Sequence, residues 1–299
     1  MMWSSYIKDY KSFLQLEKSL ADNSISAYVD DIEKFVSYLG IKEKKILPEE
    51  VVLDDLRGFI IWLNELGLGA RSQARIVSGL KSFFKYLLME EIVVKDPSEL
   101  LESPKIGRKL PDVLSVEEID TLLAAVDLSK PEGQRNKAII ETLYSCGLRV
   151  SELINLRLSG LYFKDKFIRV VGKGDKERLV PISDKAINEI NLYRDHSRTH
   201  LSVQKEFMDI LFLNRRGKQL TRVMIFTIIK ELAEKIGLKK NISPHTFRHS
   251  FASHLIDGGA DLRAVQEMLG HESIITTEIY THLDSEYLRD AIIRFHPRS

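Results

Sequence analysis

Four side chains between Pro244 and Tyr280 have the types that phosphate chemistry needs: His245, Arg248, His271 and Tyr280. His245 and Arg248 are three apart, so both project from one face of a helix that opens at Pro244, a residue suited to a first helical turn. The reading is that these groups converge on one phosphate. Zinc is the competing use of such histidines, because His249 lies four beyond His245. That use fails on its other requirements: Thr246 stands where a zinc hydrolase helix carries Glu, and no third ligand is suitably placed. No metal and no cofactor are expected.

Two further cations come from upstream. Arg149 follows Gly147-Leu148 in a turn where a helix begins near Val150, and free amides at a helix entrance favour an anion. Glu152, three residues on, is placed to orient that guanidinium. Lys173 sits between Gly172 and Gly174 at the tip of an expected β-hairpin, residues 167–171 and 177–182, from which it could swing into a site and deliver a proton. Taken singly, an arginine in a turn or a lysine in a charged hairpin is more often structural. A tyrosine nucleophile would have a use for such cations, because a phenol of reference pKa about 10 needs a cationic pocket before it can attack. Arginines at 149 and 248 would offer planar donors to the non-bridging oxygens of a five-coordinate transition state.

The elements that must position these groups read as mainly helical. Tyr6, Tyr10, Phe13, Leu14 and Leu20 follow a 3.6-residue period, and Asn23 or Ser24 should cap a helix carrying Tyr28, Ile32, Phe35, Val36 and Leu39 up to Gly40. A third helix is expected over 54–65 and a fourth over 70–89. In the fourth, Ile76, Leu80, Phe83 or Phe84 and Leu87 face inward, while Arg71, Arg75, Ser78, Ser82 and Lys85 recur at intervals of four, three, four and three on another face. That face suits a DNA groove, although a solvated surface is the commoner use of such a pattern. Pro97, Pro104 and Pro111 then break the periodicity, so the expectation is a DNA-binding helical domain over 1–90, an extended linker over 91–111 and a second domain over 112–299.

The second domain should open with a capping box at Ser115 and Glu118. Helices follow over about 133–145, ended by Gly147, and over 184–194, with a short buried strand at 209–213. Thr221 caps a helix ended by Gly237, and Asp261 starts one that Gly270 stops. Helix, turn and helix around Gly258-Gly259 could form a DNA-reading pair, but the second helix carries few groove-reading side chains beyond Arg263 and Gln266. Residues 286–295 form a last amphipathic helix.

Composition constrains less. Forty-four Lys and Arg against 43 Asp and Glu give a net charge of +1, with 14 against 17 up to residue 106 and 30 against 26 after it, a mild asymmetry. The single Cys146 excludes an intrachain disulfide, and no stretch approaches a membrane span. A cytoplasmic protein is expected.

The ordered set Gly147-Leu148-Arg149, Gly172-Lys173-Gly174, His245-Thr246-Phe247-Arg248-His249, Leu269-Gly270-His271 and Thr276 to His282 resembles that of the tyrosine recombinases, also called the phage integrase family. Phe295-His296-Pro297-Arg298 is similar to the ending of the chromosome-dimer-resolving Xer subfamily. The resemblance implies a two-domain architecture, an N-terminal helical core-binding domain and a C-terminal mixed α/β catalytic domain, mainly α with a small β-sheet. It implies site-specific DNA strand transfer through a 3′-phosphotyrosyl bond without metal or ATP. Tyr280 would be the nucleophile, Lys173 the acid for the leaving 5′-oxygen, His245 the acid/base partner of the tyrosine, and His271 a donor to the phosphate. It further implies double-stranded DNA as partner, a tetramer on DNA with or without a sister recombinase, a nucleoid location, a translocase as regulator, and a tail helix exchanged with a neighbouring subunit. A mobile-element integrase would share this chemistry; a non-catalytic DNA-binding regulator would share only the helices.

Overall fold

The computed structural model of the chain describes residues 3–105, 107, 112–172, 175–270 and 282–298. Lys173, His271 and Tyr280 lie outside them. The chain divides into two compact units, Met1–Lys109 and Leu110–Ser299.

The first unit is four helices, α1 (Ser4–Leu16), α2 (Asp22–Ile41), α3 (Leu53–Glu65) and α4 (Ala70–Met89). Their apolar faces meet in an aromatic core where Phe35 and Phe59 pack edge to face at 5.3 Å and Tyr10 meets Phe83 at 5.1 Å. The expected side-chain cap of α2 is not used. Ala21 takes the N-cap position and its carbonyl accepts from the Ser24 and Ile25 amides, so Asn23 and Ser24 fall inside the first turn. Gly40 also lies within α2, which ends one residue later because Lys42 and Glu43 close the last turn on the backbone.

The stretch after α4, read from its prolines as extended, folds back in part. Asp96 Oδ1 accepts from the Ser98 amide at 2.7 Å and its hydroxyl at 2.6 Å, and this local turn returns Leu101 to the helical core. Val93, Ser98 and Leu101 are buried, so burial of apolar residues overrides the extended bias that proline imposes nearby.

The second unit is built around α6 (Gly133–Cys146), where every residue from Ala138 to Cys146 is buried. Before it comes α5 (Val116–Ala124), with its Ser115 and Glu118 capping box, and after it α7 (Val150–Ile154). A three-stranded antiparallel sheet follows in the order β1 (Leu161–Tyr162), β2 (Phe167–Val171), β3 (Glu177–Pro181). β1 is an addition to the expected hairpin; Val170 lies opposite Arg178 and Val171 opposite Glu177. Gly172 N–H donates to the Lys176 carbonyl at 2.8 Å and closes the hairpin tip.

Helices α8 (Asp184–Leu192), α9 (Arg222–Lys235), α10 (Pro244–Gly258), α11 (Leu262–Leu269) and α12 (His282–Phe295) complete the unit. Segment 209–213, buried only from Leu211 on, makes isolated bridges instead of a strand. Leu211 bonds the Leu156 carbonyl at 2.8 Å and Leu213 the Tyr193 hydroxyl at 3.2 Å, so its amides are satisfied by separate partners and no ladder forms. Leu288, Ala291 and Ile292 of α12 are buried in the core of their own unit, where the helix packs against α10, α11 and β3. None of the described helices is long and apolar enough to cross a membrane.

Candidate active site

Gly147 sets the site's first turn. It ends α6 in the left-handed region at φ +57°, and the chain then runs through Leu148 to Arg149, which is the N-cap of α7. Glu152 fastens this arginine twice: its Oε2 accepts from the Arg149 amide at 2.8 Å and its Oε1 from Arg149 Nη1 at 2.9 Å. Glu152 thus takes the amide of the N-cap residue itself, at the entrance of a helix five residues long.

Arg248 arrives from α10, whose first turn opens at Pro244 after the Ser243 N-cap. Its Nη1 donates to the Gly147 carbonyl at 2.8 Å and its Nη2 to the Leu269 carbonyl, while Nη1 stays 3.9 Å from Glu152 Oε2. A third guanidinium closes the group. Arg178 of β3 grips Glu152 with both terminal nitrogens, at 2.7 and 3.0 Å. Among the described residues, three arginines thus surround one buried carboxylate, a net charge of +2 that suits an anion.

The titration behaviour follows from that imbalance. Burial alone would raise the Glu152 carboxyl, but Arg178 and then Arg149 hold it below the ordinary carboxylate value. Burial, and next the charge of Arg149, pulls Arg248 down to about 10, so it remains a cation at neutral pH. His245, on the same helix face, is lowered first by desolvation and then by Arg248, His249 and Arg149. It is therefore mainly neutral near pH 7 and able to accept a proton.

Of the six expected groups, Arg149 and Arg248 come together around Glu152, and His245 stands exposed three residues before Arg248 on α10, within the field of both arginines. Lys173 and His271 lie outside the described residues, but their chain neighbours are in place. The Gly270 carbonyl accepts from Arg149 Nη2 at 3.2 Å. A Cβ added to Gly172 would lie 3.6 Å from Arg178 Nη1 and 3.9 Å from Glu152 Oε1. Tyr280 also lies outside.

The other expected set shares α4 but not one role. Arg71, Ser78 and Lys85 are exposed, whereas Ser82 accepts from the Tyr10 hydroxyl at 2.8 Å. Arg75 forms a forked pair with the fully buried Asp31 of α2, at 2.6 and 2.7 Å. Sequence reasoning missed both Arg178 as part of the site and Arg75 as an internal partner. For Arg178 a signal existed: it falls in the strand alternation with Val180, on the core face of β3, where an arginine requires a partner.

A family model described as "Phage integrase family" matches residues 112–286, and one described as "Phage integrase, N-terminal SAM-like domain" matches residues 7–91. The chain belongs to the phage integrase family and is a tyrosine-type site-specific recombinase. Proteins named tyrosine recombinase XerD are similar to it along nearly their whole length. That of Chlorobaculum tepidum is 44% identical over 299 residues, covering 99% of this chain and 97% of its own. That of Staphylococcus aureus is 43% identical over 296 residues, 98% and 99% of the two chains. Among solved structures, XerH bound to palindromic difH substrate in a post-cleavage complex aligns with a TM-score of 0.71 at 24% identity, over 95% of this chain and 83% of that one. At that identity the likeness shows the fold.

Proposed function

We propose that this recombinase cuts and rejoins double-stranded DNA at a dif-like site and so resolves chromosome or plasmid dimers. The observation that carries the chemistry is the cluster of Arg149, Arg178 and Arg248 around Glu152, an anion receptor with His245 beside it. The choice of site is supported by the XerD-named relatives and by the difH substrate of the XerH structure.

In this reading the Tyr280 phenol oxygen attacks the scissile phosphorus and passes its proton to His245. The bond from phosphorus to the 5′-oxygen breaks, and Lys173 protonates the leaving oxygen. Arg149, Arg248 and His271 hold the non-bridging oxygens as negative charge grows on them. The product is a 3′-phosphotyrosyl bond and a 5′-hydroxyl, so the 5′-hydroxyl of a second strand reverses the step without an outside energy source.

Residues 1–90 would grip the core DNA through Arg71, Ser78 and Lys85, the linker would lie within 91–111, and 112–299 would carry the chemistry. The working unit would be a tetramer at the nucleoid, in which α12 would leave the packing on its own unit for a neighbouring subunit. A sister recombinase and a translocase are the partners this reading admits.

The test is covalent trapping on a nicked suicide substrate, followed by sequencing of the captured DNA. Wild type should form an adduct that survives a denaturing gel and enrich a dif-like sequence; Tyr280→Phe should bind the DNA and form none. An adduct with Tyr280→Phe would move the nucleophile elsewhere, and enrichment of an unrelated attachment site would favour a mobile-element integrase.

A further inference from the structure

One buried guanidinium that the proposed chemistry does not use lies within the described part of the site. Arg178 has only 8% of its side chain exposed. Three of its five N–H donors point inward: one each from Nη1 and Nη2 to the two oxygens of Glu152, and Nε to the Met268 carbonyl at 3.2 Å. A Cβ added to Gly270 would lie 3.1 Å from Arg178 Cζ, Nε and Nη1. Gly172 comes nearly as close on the hairpin side, as given above.

We infer that Arg178 is a positioning residue for strand cleavage, a single planar group that sets Glu152, and through it Arg149, against the backbone immediately before Lys173 and before His271. The inference rests on the proposed recombinase chemistry. Its physical basis is the fork. A carboxylate held by two parallel N–H···O bonds cannot rotate, and Arg149 Nη1 shares Oε1 with Arg178 Nη1, so the orientation of one arginine is transmitted to the other. Lysine keeps the charge beside Glu152 but not the fork, and cannot also hold the Met268 carbonyl in the same plane. Gly270 is needed for the same reason, since a Cβ 3.1 Å from the guanidinium would press it off the carboxylate, whereas at Gly172 a Cβ would sit at ordinary contact distance.

The test compares wild type with Arg178→Gln and Arg178→Lys in single-turnover adduct formation at saturating DNA. Two suicide substrates are used, one with the natural scissile phosphodiester and one with a methylphosphonate there, which lacks the non-bridging charge that Arg149 neutralises. On the phosphodiester the expected loss is about 10²-fold for Arg178→Gln and about tenfold for Arg178→Lys, with DNA affinity within about threefold of wild type. On the methylphosphonate the gap between variant and wild type should shrink by about tenfold, because a misaimed Arg149 matters less there.

Equal losses on the two substrates, or no loss on the phosphodiester, overturn the assignment, and a loss confined to DNA affinity does the same. Arg178→Lys retains the cation that balances Glu152, so the comparison stands even where Arg178→Gln does not fold. Failure of wild type to form any adduct would instead sink the proposed function itself.

Discussion

The Arg248 guanidinium donates to the Gly147 carbonyl at 2.8 Å, which ties the arginine of α10 to the turn two residues before Arg149. Two cations more than ninety positions apart in the chain are thereby set by one peptide group. The conformation of that group depends on glycine, because φ is +57° and an added Cβ would come within 2.5 Å of Phe251 Cδ1.

Gly147→Ala should therefore cost stability and aim together. The expected destabilisation is about 2–3 kcal/mol from left-handed strain and overpacking against Phe251. Thermal denaturation should show it as a fall of about 4–12 °C for a unit of this size. An unchanged melting temperature would mean that Phe251 moves aside freely.

Acid should weaken the second unit through His296, which is buried beside the Tyr144 and Phe251 rings. Burial lowers its folded pKa to about 3, with His254 and Arg298 adding to the effect. The folded value is below the unfolded one, so between about pH 6.5 and 3 the unfolded chain binds the extra proton. Stability is then present above that window and lost as pH falls through it, by up to about 1.4 kcal/mol per pH unit from this group. Urea denaturation from pH 7 to 5 should show a shallower decline for His296→Phe than for wild type; equal slopes would assign the acid sensitivity elsewhere.

Within α4 two arginines should separate by phenotype. Arg75→Ala leaves the Asp31 carboxylate buried without its forked partner, at a cost of about 2 kcal/mol after allowing for the half-exposed guanidinium. Arg71→Ala and Lys85→Ala, at exposed positions, should leave the melting temperature unchanged. If α4 contacts DNA, each should reduce the salt dependence of binding by about one phosphate contact. DNA affinity unaffected by these two exposed substitutions across a salt titration would remove the helix from the interface.

The chain's last residues should contribute to the second unit's core. Arg298, with 7% of its side chain exposed, pairs with Asp120 at 2.5 Å and approaches Glu141 at 3.4 Å. Burial raises the Glu141 pKa even though Arg298 opposes it. Arg298→Ala should cost about 3 kcal/mol by leaving that carboxylate without its cation, and Glu141→Gln in the same chain should recover part of the loss. Chemical denaturation of the single and double variants decides this; an additive further loss in the double variant would exclude the pairing.

Much of the local structure was legible from residue order because its causes are local. The Ser115 and Glu118 box, the left-handed stops at Gly147 and Gly270, the hairpin and the inward face of α4 depend on neighbours a few positions away. The exceptions show the same limit from the other side. Asn23 and Ser24 were plausible caps with no say in where the backbone turned, and residues 209–213 make only isolated bridges, Ile210 to Arg157 and Leu213 to Gln219, in place of a ladder.

The sequence by itself determined which residues carry the chemistry's types, and their order identified the family. Only the tertiary structure decided how they are used. Arg178 and Arg75 look like surface cations in a list of charges, yet each is matched to a carboxylate 26 and 44 positions away by the packing of separate elements. Charge is a property of the residue, but whether that charge is spent on a buried partner or left for an incoming phosphate depends on distances that only the folded chain sets.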